Sequence, residues 1–166
     1  MSITTPAPAT RDAGALLTET EFADVVSTVL RANIGMDESL AKRIVLEALR
    51  FVATAAERAP GERMAPSPVV DEGWHALILH TRVYARLNAR LGGRDFVHHI
   101  PQAPDPGHAR VPGILASSRA AITAAGFEVD TELWQVGPTA VAGAECQHVP
   151  NCGDNDCDVE CKSGPN

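Results

Sequence analysis

The sequence predicts a mostly α-helical fold: a compact bundle of about four helices, interrupted by a proline-rich loop and followed by a flexible, cysteine-rich C-terminal tail. Apolar residues recur at three- and four-residue spacing in several stretches, and helix-capping residues stand at their ends. Sustained period-two alternation, the mark of a half-buried strand, is missing. No internal repeat is visible. The 166 residues are enough for one domain with a real core and too few for a second full one. The expected division is a flexible arm over 1–17, a helical domain over 18–136 and a Gly/Cys-rich tail over 137–166.

The arm opens with small, polar and proline residues, Ser2 to Thr10, whose apolar surface is too slight to offset the entropy of ordering them. From Thr20, Phe22, Val25, Val26, Val29 and Leu30 give the first amphipathic helix, which Asn33-Ile34-Gly35 ends. Asp37 is a good N-cap for the second helix. Leu40, Ile44, Ala48, Phe51, Val52 and Ala55 form its apolar face, and Pro60-Gly61 stops it. Ser67-Pro68 then supplies an N-cap followed by proline at the first helical position, where its missing N–H costs nothing. This third helix is expected to run to Leu91-Gly92-Gly93 with Val70, Trp74, Leu77, Thr81, Tyr84 and Asn88 on one stripe. Four prolines between Pro101 and Pro112 exclude a regular helix there. A last helix is expected from Ile114 to Ala125 with Gly126 as its stop, and Leu133-Trp134 as a short docking turn.

A formal charge of −7 disfavours nucleic acid and anionic membranes as partners, because both recruit basic faces. No stretch approaches the roughly 18–20 apolar residues that span a bilayer, and Met1 to Leu17 lacks the pattern of a secretory signal. A cytoplasmic location is the resulting expectation. In a reducing cytosol, closely spaced cysteines are more often ligands or reactive thiols than permanent disulfides.

Two clusters carry possible chemistry. Asp71 and His75 lie one helical turn apart at the edge of the buried stripe, and His98-His99 follow the helix end. Two histidines and a carboxylate are a recurrent ligand set for zinc or non-haem iron. The plainer reading is a set of hydrogen bonds that fixes the loop, with Asp71 as acceptor and as a favourable charge in the first helical turn. Adjacent residues of an extended segment point to opposite sides, so one of His98 and His99 is expected to face Asp71. His80, about 140° around the helix from His75, is not expected to join them, and His108 has no evident partner.

The run Val70-Asp71-Glu72-Gly73-Trp74-His75, with Leu77, Thr81 and Tyr84, and then Gly92-Gly93 through Phe96 to His98-His99 and Pro101, resembles the glycine-rich domain-containing protein-like family. That family comprises plant glycine-rich proteins and small bacterial proteins, largely without assigned biochemical function. The resemblance covers about Phe22 to Trp134 and implies the helical fold more than an activity. Where the family pattern often has a cysteine four residues after the tyrosine, this chain has Asn88, which argues against thiol chemistry at that point. The glycine-rich region of the plant members has no counterpart.

The second cluster is the tail, where Cys146, His148, Cys152, Cys157 and Cys161 fall within a short stretch rich in acidic residues. The intervening spacings of five, four and three residues match no common zinc-finger pattern, yet five such ligands could wrap a tetrahedral ion and fold upon binding it. A disulfide or redox pair, a segment modified or cleaved by a processing enzyme, and an unordered tail are the alternatives. No nucleophile elbow, phosphate loop or dinucleotide fingerprint is present. The functional expectation is therefore a small, non-catalytic protein that binds zinc or another transition metal. The alternatives are a precursor or interaction protein whose tail a partner recognises, and a metal-dependent enzyme using an Asp/His/His site.

Overall fold

The computed structural model describes residues 10–59, 62–92, 96–101, 113–135 and 146–147. The fold is mostly helical. Five α-helices, α1 (Glu19–Ala32), α2 (Glu38–Glu57), α3 (Pro68–Leu79), α4 (Thr81–Leu91) and α5 (Ile114–Ala124), are joined by 3-10 turns at Gly14–Leu16 and Thr131–Trp134. A two-residue antiparallel pair, β1 (Ile100–Pro101) with β2 (Cys146–Gln147), completes the described elements. The proline-rich loop, with His108, lies outside the described residues.

Local signals start and stop these helices as the sequence leads one to expect. Asp37 caps α2 by accepting from the backbone N–H groups of Ser39 and Leu40, and Ser67 caps α3 by accepting from Val70 with Pro68 beside it. Gly92 ends α4 with φ +64°, a left-handed conformation that costs glycine little. Thr18 begins α1 with a reciprocal capping box: its hydroxyl accepts from the Glu21 N–H, and the Glu21 carboxylate accepts from the Thr18 N–H.

Glu21 also pairs with Arg86 of α4. The Thr18 backbone N–H first, then Arg86, hold its carboxyl at about 2, below the ordinary glutamate range. A depressed carboxyl stabilises the fold fully above its unfolded value and loses that contribution as the pH falls through the folded one. Glu21→Gln should thus cost about 1 kcal/mol near neutral pH, with the difference from wild type closing between about pH 5 and pH 2. Urea unfolding of both proteins across that range checks it. A difference that does not change with pH would remove Glu21 as the source.

Helix α2 is central, touching α1, α3, α4 and α5. Its residues are buried almost all round, from Ala41 through Ile44, Ala48 and Phe51 to Ala55. Glu47 of α2 is fully buried and accepts from Trp134 Nε1 at 2.7 Å, Arg50 Nη1 at 2.6 Å and the Asp130 backbone N–H at 3.2 Å. Removed from water, this carboxylate is tolerated because three donors surround it. The Ser67 hydroxyl donates to the Leu133 carbonyl, which fixes the same C-terminal turn to the start of α3.

Two expectations are corrected. The flexible arm does not extend to residue 17, because Ala13 and Leu17 are buried in the core. Arg11 also stacks over Phe127 and bonds to Glu57, Ala125 and Gly126. The single helix expected up to Leu91 is two. At His80 the backbone turns to ψ +61°, and its ring nitrogen Nε2 lies 2.9 Å from Thr28 Oγ1 of α1. The break shifts the helical phase: Thr81, expected on the stripe, is exposed, while Leu87 is buried. Among the described residues no helix is long and apolar enough to cross a membrane.

Candidate metal centre

Asp71 sits in the first turn of α3 with its side chain 3% exposed, and His75 one turn later is placed on the same edge. The third component arrives on the extended segment after α4, which is clamped from two directions at Val97. Asn88 Oδ1 accepts from the Val97 N–H at 2.8 Å, and the Tyr84 hydroxyl donates to the Val97 carbonyl at 2.5 Å. Asn88 also donates to the Tyr84 carbonyl, so the buried amide uses both ends. Trp74 Nε1 donates to Tyr84 Oη at 2.9 Å. Burial pushes the Tyr84 phenol up to about 12, so it remains a donor at ordinary pH.

With Val97 facing the core, strand alternation turns His98 outward and His99 inward. His98 is exposed and lies against Phe96, with ring centroids 5.0 Å apart. The His99 side chain is 8% exposed and rests edge-on against Trp74 at 4.7 Å. Its Nε2 is 3.2 Å from Asp71 Oδ1, while His75 Nδ1 is 3.6 Å from Asp71 Oδ2. The two imidazole rings stand 4.4 Å apart. One ligand atom from each of Asp71, His75 and His99 fits within 4.8 Å of the others. This partly buried group could hold a metal ion.

The cluster packs against Trp74 on one side, and the His75 side chain is 38% exposed. Asp71 Oδ2 is buried without a hydrogen-bond partner. Of the residues singled out in the sequence, the structure brings together Asp71, His75 and His99, and not His98. His148, Cys152, Cys157 and Cys161 lie outside the described residues. Cys146 is described as the first residue of β2, opposite Pro101. His80 is engaged with Thr28 instead.

Sequence reasoning placed Tyr84 and Asn88 on a buried stripe without seeing that they position His99. The only signal was that a buried asparagine must find partners. Glu47 was missed altogether, since a lone glutamate among helical apolar residues reads as a solvent-facing position.

No curated protein and no solved structure matches the chain. A family model does match, over residues 13–106, and it is not that of the glycine-rich domain-containing proteins. The residues that carry that resemblance, Val70 to Pro101, fall inside the matched span, and the match overturns it. With more than half of its length matched, the chain belongs to the UCP032817-like family, an uncharacterised one.

Proposed function

We propose that the protein binds zinc or another divalent transition metal at Asp71, His75 and His99, without catalytic turnover of its own. The observation that carries this reading is a buried carboxylate oxygen that accepts no hydrogen bond: Asp71 Oδ2 has only His75 Nδ1 near it, at 3.6 Å. In a purely hydrogen-bonded arrangement, leaving such an atom unsatisfied costs about 1–3 kcal/mol. A cation removes that cost. Donors on a tetrahedral zinc stand about 3.3 Å apart, given bonds of about 2.0–2.1 Å; His99 Nε2 stands 3.2 Å from Asp71 Oδ1, and one ligand atom from each of the three residues lies within 4.8 Å of the others. Asp71 is held in the first turn of α3, so the helix fixes where its carboxyl stands relative to His75 one turn later.

Elemental mass spectrometry on full-length protein purified without chelator tests the proposal. Wild type should carry metal, or take up added zinc. Asp71→Asn and His99→Ala should bind it more weakly by at least the roughly 10–100-fold that loss of an outer-shell partner costs at known sites. Equal metal in wild type and both variants, or none in any, would overturn it.

A further inference from the structure

Two of the three cluster residues belong to α3, whereas the place of the third is governed from α4. Asp71 and His75 lie one turn apart on α3. His99 follows closely on Val97, whose backbone N–H and carbonyl are both taken by side chains of α4, those of Asn88 and Tyr84. The two helices are separate elements that part at His80. The spacing between the ligands therefore depends on how α4 is set against α3.

A buried hydrogen bond fixes that setting. Trp74, the neighbour of His75 in the chain, donates from Nε1 to the Tyr84 hydroxyl oxygen at 2.9 Å, and the same hydroxyl donates to the Val97 carbonyl. Tyr84 is thus the joint between the helix that bears two ligands and the segment that bears the third. That segment also packs on both partners of the bond: Phe96 meets the Tyr84 ring edge-on at 5.3 Å, and His99 meets Trp74 at 4.7 Å. Ligands held at their spacing before an ion arrives lose less freedom when it binds, and the affinity rises accordingly.

We infer that Tyr84, Asn88 and Trp74 are positioning residues of the metal site: their hydrogen-bonded chain holds His99 against Asp71 and so sets the affinity for the ion, and the bound ion in return strengthens the hold of the 96–99 segment on α3 and α4. This rests on the metal-binding reading above. None of the three belongs to the ligand set. They act on it through Val97 and His99, and coupling of this kind is reciprocal.

Zinc affinity of the full-length protein, measured by competition with a chromophoric chelator, tests the inference. Tyr84→Phe keeps the ring but neither donates to Val97 nor accepts from Trp74. Asn88→Ala removes the acceptor of the Val97 N–H while suiting the helix. Each should bind zinc about 10-fold or more weakly than wild type. Trp134→Phe is the control: it takes an indole N–H from the buried Glu47, a network without Val97 or His99, and should bind zinc as wild type does. In a His99→Ala background, Tyr84→Phe should lower the residual affinity no further, since its route to the ion is gone. Circular dichroism establishes that each variant is folded, and Asn88→Ala decides if Tyr84→Phe is not. Zinc lost in Asp71→Asn but held undiminished by Tyr84→Phe and Asn88→Ala would overturn the positioning role and leave the three-ligand site standing. A loss in Trp134→Phe as large as that in Tyr84→Phe would show affinity merely following stability and would overturn it too. No zinc on wild type would overturn both readings.

Discussion

Replacing Trp74 with alanine is expected to cost about 3–5 kcal/mol of stability, as emptying a large, well-packed core site does. Trp74 is fully buried, its ring 5.1 Å from Phe51 of α2 and 4.7 Å from His99. Its Nε1 also donates to Tyr84, the hydroxyl that holds Val97. The alanine variant therefore opens a cavity, removes the surface on which His99 rests and leaves Tyr84 without one partner. For a domain whose whole stability is of order 5–15 kcal/mol, such a loss is large. Trp74→Phe keeps most of the volume and should cost clearly less. Urea unfolding followed by circular dichroism measures both. A cost below about 1 kcal/mol for the alanine would mean that this part of the core is loosely packed.

Gly73→Ala provides a test in which the sign is informative. By helix propensity alone alanine should stabilise an interior helical position by about 1 kcal/mol. Here a Cβ would stand 2.8 Å from the Ile44 carbonyl oxygen, 2.9 Å from the Ala48 Cβ and 3.0 Å from the Ile44 Cγ2. The first two are a backbone atom and a short side chain that cannot swing aside, so α3 would have to move off α2. We expect a destabilisation of about 1–3 kcal/mol, typical of overpacking. The same movement would displace Asp71 and His75, which flank Gly73 on α3, so metal uptake should fall along with stability. A gain in melting temperature would show that the two helices can separate freely and would remove the close approach as a determinant of the fold.

What the sequence made legible was local. Asp37 and Ser67-Pro68 announced helix starts because capping is decided within three or four residues of chain, and Gly92 and Gly126 announced stops for the same reason. The break at His80 was hidden, since the apolar spacing from Trp74 through Leu77 to Tyr84 reads as one continuous period, and the partner that His80 meets at the turn, Thr28, is 52 residues away. The docking of Ala13 and Leu17 was hidden likewise, because short apolar residues in a polar arm show no period. At the site, Asp71 and His75 were legible from their helical spacing. That one histidine of the pair would face them followed from strand alternation; that it is His99 followed only from the hold of Asn88 and Tyr84 on Val97.

The burial of Glu47 has a consequence for where this domain may be cut. Its carboxylate draws two of its three donors from Asp130 and Trp134, both beyond residue 106, where the family match ends. A chain severed there would keep α1 to α4 and the cluster residues but strand a negative charge in the centre of α2 with Arg50 alone to answer it. Breaking a buried ionic network by removing partners typically costs about 3–5 kcal/mol, and Ile122, Phe127 and Leu133 would leave the core at the same time. A piece ending at residue 106 is thus expected to unfold at lower denaturant than one that reaches Trp134, because of an acid on the second helix.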